Sequence, residues 1–201
     1  MIKIGLTGSI GCGKSSLSNI LKKKGIPVID ADIKGRDIYK SQKILDAVSN
    51  EFGKEIINSN GELNRKELGK IVFSSDEKLE TLNSITHPEI KRMIMEDLDA
   101  YEKEGNDCVV VDAALLIEAG YIEMMDFNVV VKCEEGVQID RIIKRDNCSE
   151  NDARSRIKSQ MPQEEKFKFA DFIVDNSGSL ENLENEAEVL FNRIKELKLE
   201  R

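Results

Sequence analysis

Close to the amino terminus, the apolar run Ile2-Lys3-Ile4-Gly5-Leu6-Thr7 leads straight into Gly8-Ser9-Ile10-Gly11-Cys12-Gly13-Lys14-Ser15. The spacing is G-x-x-x-x-G-K-[ST] behind a strand-like segment, and it constrains both the local fold and the ligand. Glycines let the backbone turn tightly and bring successive N–H groups against an anion that ordinary side chains would hold off. Lys14 adds a mobile positive charge for the β and γ phosphates, and Ser15 a hydroxyl for a metal. From Ser15 to Lys24, Leu17, Ile20 and Leu21 recur at helical spacing, lysines fill the last turn and Gly25 follows as a stop. The positive end of that helix dipole then faces the same anion. The implied ligands are ATP as phosphate donor and Mg²⁺, with Gly8, Gly11, Cys12, Gly13, Lys14, Ser15 and Ser16 around the nucleotide. Cys12, among N–H groups at a helix start, is expected to favour its thiolate and to be shielded by bound nucleotide.

Further along, apolar runs alternate with helical patterns, the mark of an α/β fold with a parallel sheet. Strands are predicted at Ile2 to Leu6, Pro27 to Ile29, Cys108 to Val111, Asn128 to Lys132 and Phe172 to Val174. Between the second and third, Gln42 to Phe52 and Arg65 to Phe73 read as helices on either side of a turn at Asn60-Gly61. Ser74-x-x-Glu77 resembles a capping box opening a helix to about Ser84, and Pro88 is expected to start a separate helix running to Gly105. This stretch is too long for a simple crossover. It reads as a helical subdomain able to hold an acceptor, the plainer alternative being an elaboration that only covers the sheet. After the fourth strand, one helix is predicted over Gly136 to Asp146. Ser149-x-x-Asp152 caps another through Gln160, which Pro162 ends. From Leu180, the stripe Leu183, Ala187, Leu190, Phe191, Ile194 and Leu197 marks a docking helix.

Charge narrows the partners. The 201 residues carry a net charge of -8, which argues against a nucleic-acid partner, since phosphate-backbone affinity needs a basic face. From Gln138 to Ala170, however, eight Lys/Arg meet six Asp/Glu, a local positive excess suited to a small polyanion. No apolar stretch approaches the ~20 residues of a membrane span, and no signal-peptide pattern opens the chain. A cytoplasmic protein with no membrane partner is expected. Cys12, Cys108, Cys133 and Cys148 form no C-x-x-C pair, so neither a zinc site nor a disulfide framework is expected. The last three read as packing residues or surface thiols.

Several other residues carry chemistry. Asp30-Ala31-Asp32 follows the second strand. If the segment is extended, Asp30 and Asp32 share a side, and if a helix begins there Asp32 and Arg36 are neighbours. A carboxylate beside a triphosphate can accept the acceptor hydroxyl's proton or hold Mg²⁺ through water; the alternative is a helix cap with a surface ion pair. Val109-Val110-Val111-Asp112 has the form of a Walker B strand, with Asp112 facing the metal directly or through water, and Glu118 either assists or faces solvent. Arg141 and Arg145 fall four apart, with Arg154 and Arg156 on the next helix, either as a lid over transferring phosphate or as solvated charge. His87, the only histidine, has a capping or packing role or touches substrate.

Taken in order, Gly5 to Ser15, V-I-D-A-D-x-x-x-R at Val28 to Arg36, His87-Pro88, D-A-A-L-L-I-E at Asp112 to Glu118, Arg145-Asp146, Arg156-Ile157-x-x-Gln160, Ala170-Asp171 and Asp175-Asn176-Ser177-Gly178 closely resemble the dephospho-CoA kinase family over essentially the whole chain. The resemblance implies transfer of the ATP γ-phosphate to the ribose 3′-hydroxyl of dephospho-coenzyme A, the last step of coenzyme A synthesis. It implies a single-domain P-loop NTPase core with a five-stranded, mainly parallel sheet flanked by helices. On that division the core covers about 1–41, 106–135 and 171–201, a helical CoA-binding insertion about 42–105 and a lid about 136–170, in a monomer. Asp32 is then the catalytic base, Lys14, Arg141 and Arg145 act on the phosphates, and Asn176 and Gly178 lie near the adenine. Asp32, Arg36, His87, Leu115 and Glu118 are the expected acceptor residues. Two departures stand out: Ala113-Ala114 replaces the family's usual Val-Pro, which is expected to loosen the turn after the third strand, and Ser16 stands where Thr often follows. The competing readings are another small-molecule P-loop kinase and a nucleotide switch. Asp32-Ile33-Lys34-Gly35 has the D-x-x-G spacing of GTPases, but it follows Lys14 too closely and the chain has no N-K-x-D motif.

Overall fold

Five apolar segments become five strands: β1 (Ile2–Gly8), β2 (Val28–Asp30), β3 (Cys108–Asp112), β4 (Phe127–Lys132) and β5 (Phe172–Asp175). The structure is a computed structural model that describes residues 1–199. The strands form one sheet in the order β2-β3-β1-β4-β5, and every neighbouring pair is parallel. Each strand reads as a short run of β-branched residues because a parallel sheet is covered on both faces. Val109, Val110 and Val111 have no exposed surface, nor do Ile4 and Leu6 of the central strand. The register puts Leu6 and Asp30 each beside Asp112, so two acids meet at the carboxyl ends where open α/β sheets bind ligands.

Two compact units divide the chain, Met1–Asp30 with Leu98–Arg201, and Ala31–Asp97. The second begins before and ends before the 42–105 expected from sequence. In the first unit, α1 (Lys14–Lys23) and α9 (Leu180–Leu199) supply Leu17, Leu21, Leu183, Ala187, Leu190 and Ile194 to the main core, which also takes in Ile4, Leu6, Val129 and Val131. A smaller core joins Ile139, Ile142 and Ala153 of α6 (Glu135–Asp146) and α7 (Glu150–Lys158) to Ile10 of the glycine-rich loop. Helix α7 starts on the expected capping box, Ser149 and Asp152 exchanging hydrogen bonds. Pro162 ends that stretch, but it also stands at the N-cap of a helix that the sequence reading missed, α8 (Gln163–Phe167).

In the second unit, α2 (Ala31–Asp37) leads into a core that α3 (Gln42–Phe52), α4 (Arg65–Val72) and the first part of α5 (Asp76–Lys103) build around Ile44, Val48, Phe52, Ile56 and Leu68. Helix α5 corrects two expectations. The Ser74 hydroxyl donates back to the Ile71 carbonyl at 2.7 Å and opens no capping box, and one helix runs through Pro88 rather than ending near Ser84. An interior proline costs about 3 kcal/mol. Leu79, Leu82 and Ile85 before it, and Ile90 and Met93 after it, all pack on the same core, and their shared burial outweighs that cost.

Candidate functional site

Gly8 closes β1 and Gly13 opens α1, so the five residues Ser9 to Gly13 form the loop between strand and helix. Gly11 and Gly13 adopt φ of 81° and 84°, a region that side chains other than glycine rarely occupy. A Cβ on Gly13 would also stand 2.1 Å from Asn176 Nδ2. That amide donates to the Cys12 carbonyl at 2.7 Å, and Arg141 Nη1 donates to the Asn176 carbonyl at 2.9 Å. Asn176 is thus buried beneath the loop, and Arg141 is anchored beside it.

Glutamines absent from the expected site hold the loop from its other side. The Ile10 N–H donates to Gln160 Oε1 at 2.8 Å, and the Ile10 carbonyl accepts from Gln138 Nε2. Gln163 Oε1 accepts from Cys12 Sγ at 3.3 Å and from the Cys133 N–H at 3.0 Å, while its Nε2 donates to the Cys133 carbonyl at 3.1 Å. Of these, only Gln160 belongs to a motif recognisable in the sequence, Arg156-Ile157-x-x-Gln160. The Ser9 hydroxyl is buried without a partner among the described residues, an orphan donor within a loop built for an anion.

Cys12 departs from expectation. It has no exposed surface, and the hydrogen bond to Cys133 and burial together push its pKa up, so the thiol form is favoured and nucleotide is not needed to shield it. At Cys133, the hydrogen bond it shares with Cys12 and the Arg141 charge pull the pKa down. The two sulfurs lie 3.4 Å apart.

Lys14 pairs with Asp112 at the end of β3. Burial raises the Asp112 pKa, against the opposing pull of Lys14 and a hydrogen bond from Ser18. Beyond Asp112, the Ala113-Ala114 turn is tied down rather than loose. The Ala113 N–H donates to the Leu6 carbonyl at 3.0 Å, and the Ala114 carbonyl accepts from Thr7 Oγ1 at 3.2 Å and from Lys166 Nζ at 3.4 Å. Leu115 is exposed. Glu118 forms an ion pair at 2.7 Å with Lys166 of α8, a lysine with no exposed side-chain surface. Sequence reasoning overlooked Lys166 because a lysine among charged neighbours reads as solvated.

The four arginines separate by partner. Arg141 reaches the loop's support, whereas Arg145 and Arg156 share Asp146, whose pKa the Arg145 hydrogen bonds pull down. Arg154 pairs with Glu150 and Glu135. After β5, Asp175 accepts from the Ser177 N–H at 2.9 Å and Oγ at 2.6 Å and pairs with Lys132 at 2.5 Å. These contacts fix the Asn176 to Gly178 turn.

In the second unit, α2 begins at Ala31, directly after β2 ends at Asp30. The alternation that would put Asp30 and Asp32 on one side therefore does not apply, while Asp32 and Arg36 are one helical turn apart. The Arg36 carbonyl accepts from Arg65 Nη2 at 2.7 Å, and the Arg65 guanidinium stands 5.3 Å from the Tyr39 ring centre. Arg36, Tyr39, Lys40 and Arg65 line a cavity of about 490 Å³. His87 lies inside α5 rather than at a helix start, and burial pushes its pKa down.

Comparison with known proteins extends this arrangement across the chain. Residues 2–182 match the family model described as dephospho-CoA kinase. A protein named dephospho-CoA kinase from Carboxydothermus hydrogenoformans is 44% identical over 184 residues, covering 89% of this chain and 87% of that one. Among solved structures, TT1252 from Thermus thermophilus superposes with a TM-score of 0.81 at 32% identity, covering 96% of this chain and 97% of the other. Dephospho-CoA kinase from Campylobacter jejuni gives 0.73 at 30% identity, with 96% of each chain covered. A glycine loop on the central strand of a parallel sheet, with Lys14 on Asp112, therefore sits in a sequence related to these proteins over nearly its whole length, and the chain belongs to the dephospho-CoA kinase family.

Proposed function

We propose that the protein transfers the γ-phosphoryl group of ATP to the ribose 3′-hydroxyl of dephospho-coenzyme A, giving coenzyme A and ADP. The observation that carries this reading is the phosphate loop of Gly8 to Ser15 within a family match over residues 2–182. In the reaction a bond forms between the 3′-oxygen and the γ-phosphorus while the bond to the β,γ-bridging oxygen breaks. Loop amides and Lys14 hold the triphosphate, and Arg141 adds positive charge where charge spreads over the transferring group. Asp32 takes the hydroxyl proton as it leaves. Arg36 orients the acceptor, with Leu115 and His87 on its less polar parts. Asn176 and Gly178 flank the adenine of ATP.

Asp112 and Ser15 fit Mg²⁺. A buried carboxylate at a strand end and a hydroxyl in the first turn of α1 suit a hard cation. The described residues gather no group of three His, Cys, Asp or Glu side chains, consistent with an ion that takes most of its ligands from phosphate and water. When bound, Mg²⁺ neutralises charge on the β and γ oxygens. The same reading has the enzyme work in the cytoplasm as a monomer on two dissolved substrates. No helix among the described residues is long and apolar enough to cross a membrane.

Asp32→Asn tests the assignment of the base. ATP affinity stays within about twofold of wild type, and kcat with dephospho-coenzyme A falls by about 100-fold or more. A near-normal kcat in that variant removes Asp32 from the proton transfer.

A further inference from the structure

The phosphate loop holds a chemical group that phosphoryl transfer does not use. Cys12 stands between Gly11 and Gly13, and Cys133 follows the last residue of β4. Their sulfurs are 3.4 Å apart, and both residues are almost wholly buried. Among the described residues, neither thiol belongs to a group of three His, Cys, Asp or Glu side chains that could hold a metal ion. Around them, Gln163 accepts from Cys12 Sγ and brackets the backbone of Cys133. The side chains are therefore held facing each other.

We propose that Cys12 and Cys133 are a reversible oxidation site at which a hydroperoxide forms a disulfide that disables the phosphate loop. Cys133 is the attacking sulfur, because its hydrogen bond with Cys12 and the charge of Arg141 favour its thiolate. Its Sγ takes the terminal oxygen of the peroxide, the O–O bond breaks, and the departing hydroxide or alkoxide is protonated. The resulting sulfenic acid is then attacked by Cys12 Sγ; the S–S bond forms, and hydroxide leaves as water with the Cys12 proton. With hydrogen peroxide, two thiols and one peroxide yield one disulfide and two waters. A dithiol reverses the bond by exchange. Burial makes the first step slow and restricts it to small neutral oxidants.

Loss of function follows from geometry. A disulfide spans roughly 2 Å, so closing the present 3.4 Å gap draws the sulfurs together by about 1.4 Å. Cys12 is also tied through its carbonyl to Asn176 and through its N–H to the Ser9 carbonyl. A pull on its side chain therefore reaches the amides on both sides. A misplacement of about 1 Å in a positioned group costs on the order of 100-fold in rate. This effect on activity rests on the loop being the ATP site, whereas formation of the bond does not.

The experiment treats the reduced full-length protein with hydrogen peroxide, blocks remaining thiols, and maps the digest by mass spectrometry beside ATP titrations. The expected result is a Cys12 peptide joined to a Cys133 peptide, two hydrogens lighter than the separate pair, with ATP affinity at least tenfold weaker and both changes reversed by dithiothreitol. Cys133→Ser, or Cys133→Ala if serine is not tolerated, forms no such link and keeps its turnover after the same dose. Absence of the linked peptide in wild type overturns the proposal, as does a link that leaves ATP affinity unchanged or an equal loss of activity in the Cys133 variant. If untreated wild type does not bind ATP, the functional reading fails and the linked peptide alone decides the oxidation site.

Discussion

Lys166 and Glu118 offer a sharp test of how the segment carrying α8 is joined to the turn after β3. Removing one member of a buried ion pair costs about 3–5 kcal/mol, because the other charge is left without compensation. The two partners are not equally buried: none of the Lys166 side chain is exposed, but 24% of that of Glu118 is. Glu118→Leu strands the ammonium with only the Ala114 carbonyl at 3.4 Å, a loss of about 3 kcal/mol, at the low end of that range. Lys166→Met leaves a carboxylate that recovers water through its exposed side, and costs about 2 kcal/mol after that discount. With a urea slope of about 2 kcal/mol per molar, the midpoints fall by about 1.5 M and 1 M. The double variant Glu118→Leu/Lys166→Met, with neither charge left, returns to within about 1 kcal/mol of wild type. Circular dichroism and tyrosine fluorescence follow the transition, since the chain has no tryptophan; coincident curves are required in a two-unit protein. Single variants within about 0.5 kcal/mol of wild type, or a larger loss for Lys166→Met than for Glu118→Leu, refute the reasoning. The double variant also separates structure from recognition: if Glu118 binds acceptor, the KM for dephospho-coenzyme A stays high even where stability is restored.

Asn176→Ala leaves the Cys12 carbonyl without its buried donor. A loss of about 1–3 kcal/mol is expected, read as about 5- to 150-fold weaker ATP binding by calorimetry, and unchanged affinity would remove Asn176 from the loop's support. Asp175 gives a pH signature. Hydrogen bonds from Lys132 and Ser177 lower its pKa to about 2, below the ordinary value near 4, so its contribution is fully present above about pH 4 and lost as the pH falls towards 2. With 44% of the side chain exposed, the contribution is screened to about 1 kcal/mol or less. Denaturation of Asp175→Asn should therefore lie below wild type at pH 7 and converge with it near pH 2; a gap of constant size at all pH values contradicts the assignment.

What the sequence made readable was local. The five strands announced themselves as short β-branched runs, and α3 and α9 as stripes at helical spacing. The glycine loop followed from positions where a positive φ or a crowded Cβ leaves no other residue. Features that depend on distant partners were not readable. Cys12 looked like a reactive loop thiol because nothing nearby in sequence signals Cys133, 121 positions away. The Gln138, Gln160 and Gln163 contacts join α6 and the region around α8 to residues near position 10, and no periodicity encodes them. Helix α8 has five residues, too few to show a repeat. Pro88 misled for another reason: a local rule for helix starts was overridden by a hydrophobic face continuing on both sides of it. The Asp30 and Asp32 pattern failed because β2 ends two residues before Asp32, where an extended reading needs it to reach.

One measurement decides whether the phosphate loop serves a kinase whose acceptor is dephospho-coenzyme A. The direct measurement incubates the protein with ATP and Mg²⁺ against a panel of dephospho-coenzyme A, AMP, adenosine and shikimate, following ADP release and the mass and position of the added phosphate. The expected products are stoichiometric ADP and coenzyme A phosphorylated at the ribose 3′-oxygen, with turnover of the other acceptors lower by at least two orders of magnitude. Phosphorylation of AMP or a nucleoside, with dephospho-coenzyme A untouched, would contradict that assignment.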